Sequence, residues 1–300
     1  FVAEIREATR LSFEFRRCGQ VVLALDEARA EALCASLPQQ AEAGLRAEWL
    51  GADDLRRLEP AANPAALGGL HLPEHALVDN RSFGKAVARA AAAAGAVVRP
   101  YEPVLGLALA AGRVVGVETI QGRVAAEIVV NAAGAWASAL VPRDGRPRVG
   151  PSKGEMIALS APVRRFERII SIPGASVSPR GDGRVYVGAT SQIGVFSKDV
   201  AASAVARLLA AATTAVPTLA EARFSEAWAG LRPRSSDEFP LIGADDLDGL
   251  FWATGHGGMG IVSAPSTADI LVDLVEGRAP ALAISGFSPR RPVEPLGVSG

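Results

Sequence analysis

Residues 253–271, ATGHGGMGIVSAPSTADIL, place glycines at 255, 257 and 260 in a literal G-x-G-x-x-G, behind an apolar run at 250–253. A dinucleotide fingerprint of that spelling opens the first helix of a βαβ unit. It is followed about 20 residues on by an acidic residue at the end of a second strand. Glu276 has the separation, but it closes a helix and GRAPALAIS follows it, so the spelling matches while the context does not. Two other readings stand beside the fingerprint. One is a glycine turn that caps a core helix; the other is a turn whose backbone N–H groups and helix dipole stabilise negative charge developing on a ligand. Arg232, in AGLRP, carries a guanidinium that could grip a carboxylate in bidentate fashion and stays charged at any working pH, but for an arginine taken alone the surface salt bridge is the favoured reading. His71 and His75 lie four apart in HLPEH, but Pro73 argues against a helix and the string is not H-E-x-x-H. Asp53–Asp54 and ADDLD at 244–248 read as a helix start and a solvated turn, so no metal is expected. No G-x-S-x-G nucleophile elbow is present.

The elements that must position these residues belong to a chain of 300 residues, enough for one large domain or two interleaved ones. Helical spacing and capping residues predict helices at 26–36, 53–58, 80–94, 198–215 and 262–276. Strands are predicted at 19–25, 96–101, 103–109, 114–120, 126–134, 154–160, 184–190 and 249–255. The mixture indicates an α/β or α+β protein. Residues 80–136 read as one unit: a helix ending at Gly95, a strand, a hairpin turning on AAGR, and AEIVVNAAG, apolar on both faces as in a buried parallel strand. The stretch PRDGRPRVGP at 142–151 marks a crossing between domains.

Composition narrows the partners. With 31 basic and 32 acidic side chains the net charge is -1, which gives no bulk attraction for nucleic acid or an anionic membrane. A small, near-neutral ligand is the default, and a homo-oligomer is compatible with the composition. Cys18 and Cys34 form no C-x-x-C pair, which points to a reducing, cytoplasmic compartment without a disulfide framework or thiolate zinc site. The run KAVARAAAAAGAVV at 85–98 is interrupted by Arg89 and falls short of the ~20 apolar residues that cross a bilayer, so no transmembrane segment is expected. The chain opens on Phe1, and the expectation is that an N-terminal segment, with any targeting signal, precedes it.

RVYVGAT (184–190), FSEAWAGLRPRSSDEFPLIGADD (224–246) and LFWATGHGGMGIVSAPSTADILVDLVEG (250–277) resemble, in order and spacing, the glycine oxidase/D-amino-acid oxidase family of FAD enzymes. EIVVNAAGAWASAL (127–140) resembles that family's strand and glycine turn beside the flavin nucleotide, and GPSKGEMIAL (150–159) its strand re-entering the substrate domain. The resemblance implies a Rossmann-like FAD-binding domain (76–147 and 236–289) interleaved with an antiparallel-sheet substrate domain (1–75 and 148–235). It also implies that the family's N-terminal βαβ unit, with the true G-x-G-x-x-G, is missing from this chain. The implied reaction is hydride transfer from the α-carbon of a primary or secondary amino acid to non-covalent FAD. The imino acid then hydrolyses to an oxo acid, and oxygen or another acceptor takes the electrons. By this resemblance Arg232 binds the substrate carboxylate. His256, Gly257, Gly258, Met259, Gly260, Ile261 and Val262 support the flavin pyrimidine, Gly134 and Trp136 lie on the nucleotide side, and Val104 meets the adenine end.

Departures from the family are visible. Gly258 and Met259 stand where glycine oxidases often carry arginine and asparagine, and Ser176 or Val177 where an aromatic hydroxyl is expected. Glycine, sarcosine or a D-amino acid are the implied substrates. Covalent flavin through a cysteine near the C-terminus is excluded, because neither cysteine lies there. The alternative from another class is a family remnant or interaction module without cofactor. A nicotinamide dehydrogenase built on the literal fingerprint comes third.

Overall fold

The computed structural model describes residues 1–141, 146–160 and 166–292. Its backbone is a nine-stranded sheet organised around strand Val149–Ser160. One edge of that strand pairs antiparallel with Arg223–Ser235 along its whole length, from Val149 opposite Ser235 to Ser160 opposite Arg223, with a bulge at Ala158/Leu159. The other edge takes Arg184–Gly188 and the short Gln192–Ile193. The sheet continues through Ala175–Pro179, Ile169–Ile172, Gln20–Ala24, Gly68–Leu72 and Glu48–Gly51.

Strand alternation gives this sheet two different faces. Ile157 and Leu159 join Val177, Val185 and Val187 in the main core, under helix Ala202–Ala215. That helix buries Ala204, Leu208, Ala212 and Ala215, a stripe at helical spacing whose alanines allow close approach. Each large aliphatic side chain so buried contributes about 1.5–3 kcal/mol. The opposite face carries Ser152, Gly154 and Met156, facing Arg232, Gly230 and Trp228 on the neighbouring strand.

A smaller sheet carries the second layer. Leu250–Thr254 pairs antiparallel with Leu241–Ala244 and parallel with Val129–Asn131. Trp252 is fully buried there, with its indole N–H donating to Asp245 at 2.6 Å. A third sheet, Val104–Ala110, Arg113–Thr119 and Gly122–Ala125, is an antiparallel meander. Its first hairpin turns on Ala111 and Gly112, both at positive φ, as a two-residue type I′ turn requires, so the AAGR expectation holds.

Several expectations are corrected. Residues 96–101 form no strand: Val97 and Tyr101 are exposed, and among the described residues no strand lies alongside to supply a ladder. The strand expected at 126–134 shortens to Val129–Asn131, because the Asn131 side chain accepts from the Ala133 N–H and turns the chain into a 3-10 helix at Gly134–Trp136. It does pair parallel, yet Ile128 and Val130 are exposed, so one face only is buried. The last two helices begin at Ala202 and Gly260. The crossing expected at 142–151 lies partly outside the described residues, and 149–151 belong to the long strand. Finally, helical residues Gly257–Val275 (19 residues, mean hydropathy 1.3) are long and apolar enough to cross a membrane by length and composition. In the fold they pack against Leu241–Ala244 and Leu250–Thr254, with Thr267 and Ile270 buried.

Candidate active site

Arg232 lies opposite Ser152 in the long strand pair. Its guanidinium folds back along the sheet and rests on Gly154, where a Cβ would come within 2.4–2.7 Å of Nη1, Nη2 and Cζ. Glycine at 154 is therefore a steric requirement of the arginine's position. Nη1 donates to the Thr190 carbonyl at 3.3 Å, one partner for a group with five donors. Among the described residues no carboxylate pairs with it, and burial alone pushes its pKa below the usual arginine value. An arginine so placed keeps its charge and lacks an anion. Other arginines differ: Arg234, two residues on, is paired with Glu238, and Arg180, elsewhere in the sheet, with Glu14 and Asp79.

The guanidinium faces a cleft of about 560 Å³, whose lining includes Ser152, Thr190, His256, Gly257 and Gly258. Strand Leu250–Thr254 leads into the glycine turn that lines the same cleft. Gly255 (φ 82) and Gly257 (φ 56) take left-handed backbone that glycine alone adopts at little cost, and a backbone bridge from His256 to Arg234 joins this turn to the anchor strand. Helix Gly260–Val275 starts at the turn with no side-chain cap and no acidic residue in its first turn. A 3-10 turn at Gly257–Met259 leads directly into it, so the positive dipole end of the helical run lies at the cleft. A Cβ on Gly257 or Gly258 would meet open space, so the turn presents bare backbone; Met259, Ile261 and Val262 are exposed beside it. The His256 ring nitrogen Nε2 lies 3.0 Å from Thr267 Oγ1, and burial pushes the ring's pKa down, leaving a neutral imidazole that ties the turn to its helix.

A second cavity, of about 730 Å³, is lined by Val104, Leu107, Val130, Asn131, Trp136 and Leu140 among others. Trp136 packs on Phe196, with ring centroids 5.9 Å apart. Gly134, at φ 58, follows the end of Val129–Asn131, and its carbonyl accepts from Thr254 Oγ1 at 3.2 Å. The turns at Gly134 and Gly255 thus leave the carboxyl ends of two adjacent parallel strands, where open parallel sheets hold their ligands.

The residues named from the sequence fall into two groups. Arg232, His256, Gly257 and Gly258 share the cleft, with Met259, Gly260, Ile261 and Val262 directly after them; Val104 and Trp136 share the second cavity, and Gly134, between Ala133 of that lining and Trp136, is itself in neither lining. Sequence reasoning missed Ser152, Gly154, Glu155 and Thr190. The signal for Gly154 and Glu155 was glycine and charge inside an otherwise apolar strand, SKGEMIAL.

A bare glycine turn at the end of a parallel strand shares a cleft with a guanidinium that has no carboxylate partner among the described residues, an arrangement that fits a flavin-dependent oxidoreductase. Comparison with known proteins agrees. The profile of the DAO family, described as FAD dependent oxidoreductase, matches residues 1–274. The glycine oxidase of Geobacillus kaustophilus is 33% identical over 300 residues, 98% of this chain and 79% of that protein. Its crystal structure superposes with a TM-score of 0.92 at 32% identity, covering 97% of this chain and 80% of that one. Iminodiacetate oxidase from Chelativorans sp. BNC1 superposes with a TM-score of 0.87 at 28% identity, covering 96% of this chain and 80% of that one. The chain belongs to the DAO family of FAD-dependent oxidoreductases and has the glycine oxidase type of fold.

Proposed function

We propose that this protein oxidises a small primary or secondary amino acid, such as glycine, sarcosine or a D-amino acid, to the imino acid, which water converts to the oxo acid. The observation that carries the reading is the half-buried Arg232 guanidinium with no counter-ion among the described residues, in a cleft beside bare glycine backbone. FAD, bound non-covalently, supplies the hydride acceptor. The chain's own contribution is positional. Arg232 holds the carboxylate in a fork that fixes the α-carbon's orientation. The backbone of 256–262 and the helix start at Gly260 support the cofactor's electron-rich edge. Gly134, Trp136 and Val104 hold the nucleotide side. On this reading 76–147 and 236–289 form the cofactor layer and 1–75 and 148–235 the substrate layer, with oxygen or another acceptor completing the cycle.

Replacing Arg232 with methionine tests the reading. KM for the amino acid should rise about 100-fold or more, since two charge-assisted hydrogen bonds are lost, while flavin content is unchanged. Unaltered steady-state kinetics in Arg232→Met would refute it.

A further inference from the structure

Glu155 points away from the cleft. It shares a parity along its strand with Ile157 and Leu159, on the face under helix Ala202–Ala215, and it is fully buried. Its carboxylate is nonetheless saturated. The Ala201 N–H donates to Oε1 at 2.9 Å, Lys153 Nζ lies 3.3 Å from the same oxygen, and Oε2 accepts from Thr190 Oγ1 at 2.9 Å and Gln192 Nε2 at 3.3 Å. The backbone N–H of Ala201 is the main influence holding this carboxyl below the usual glutamate range, so it is ionised.

Thr190 is held to this one residue three times. Besides the carboxylate contact, its hydroxyl accepts from the Glu155 N–H at 2.8 Å, and its own N–H donates to the Glu155 carbonyl at 3.2 Å. What Thr190 offers the cleft is its carbonyl, the acceptor for Arg232 Nη1. With Gly154 beneath the guanidinium and the Thr190 carbonyl beside it, the fork has a seat and a stop.

We propose that Glu155 and Thr190 are positioning residues for the carboxylate anchor: the buried carboxylate fixes Thr190, and the Thr190 carbonyl sets the plane in which Arg232 presents its fork. The inference rests on the reading of Arg232 as that anchor. A buried ion pair serving stability alone is the competing assignment. It predicts a loss of melting temperature with no selective effect on anion binding.

The test uses the full-length holoenzyme, with acetate as a non-reactive probe followed by calorimetry and glycine as substrate. Thr190→Val removes the hydroxyl while keeping the shape. It should weaken acetate and raise KM about tenfold, with kcat and the flavin spectrum unchanged. Thr190→Ser should restore both, and Glu155→Gln should move them in the same direction. Combined with Arg232→Met, Thr190→Val should add no further loss in kcat/KM, because a positioning effect vanishes with the group it positions. Should Thr190→Val leave acetate affinity alone, or cost as much without Arg232 as with it, the inference is overturned while the anchor reading stands. Failure of the wild-type protein to bind acetate would overturn both.

Discussion

Arg232 and the turn at 255–258 line one cleft, and they are built by opposite means. The anchor wall is a side-chain construction. One guanidinium rests on Gly154, is stopped by the Thr190 carbonyl, and is backed by a buried carboxylate on the far face of the sheet. The turn wall is a backbone construction. Its glycines at 255 and 257 adopt left-handed angles, its helix start lacks a side-chain cap, and its one ring, His256, is engaged with Thr267. On the proposed reading, specificity resides in the anchor wall and cofactor support in the turn wall. Amides at a helix start favour any electron-rich group, whereas a seated fork selects a carboxylate.

After loss of the anchor itself, the largest effect that would sharpen this contrast belongs to Gly257. Valine there must take a φ near 56, which costs a β-branched residue roughly 1–2 kcal/mol or more. Gly257→Val should weaken flavin binding about tenfold, measured by fluorescence titration of the apoprotein, and leave acetate binding by the flavin-free protein in place. An equal loss on both sides would show that the two walls are not separable.

Gly154→Ala comes next and probes the anchor wall. The added methyl displaces the end of a flexible side chain, so the melting temperature should change little. KM should nonetheless rise several-fold, on the order of 3–10, as the fork is pushed off its seat. An unfolded or strongly destabilised variant would contradict the account of Gly154 as a seat.

The smallest effect is electrostatic. Burial depresses the His256 pKa, so the unfolded chain binds a proton that the folded ring resists. Stability from this group is present above its unfolded value of about 6.5 and is lost as pH falls through the lower folded value. His256→Gln can keep the contact to Thr267 without titrating. Comparing melting temperatures at about pH 7.5 and about pH 5.5 should show a smaller acid loss than in the wild type, with His75, depressed by burial in the same direction, supplying part of the remainder. An undiminished acid loss would remove His256 from the balance.

The sequence made parts of this arrangement legible and hid others for physical reasons. The hairpin at Ala111–Gly112 and the core stripe of Ala202–Ala215 are local patterns, and both were readable. Arg232 and the glycine turn could be singled out because AGLRP and TGHGGMGI are contiguous motifs that resemble the family's. The seat and stop were not, because Gly154 and Thr190 acquire their roles only through the register of Val149–Ser160 against two other strands. Residues 96–101 misled for the same reason, since β-branched composition predicts a strand while pairing depends on a neighbour.

The central claim is that a carboxylate seated on Arg232 delivers an amino acid for oxidation. It is tested most directly by anaerobic absorbance spectra of the full-length holoenzyme and of Arg232→Met, before and after addition of glycine, sarcosine and a D-amino acid. The account predicts flavin bands that bleach in the wild type with at least one of these, and that persist in the variant at the same concentration. Bleaching of equal extent and rate in both proteins, or none in a flavin-loaded wild type with any of the three, would contradict it.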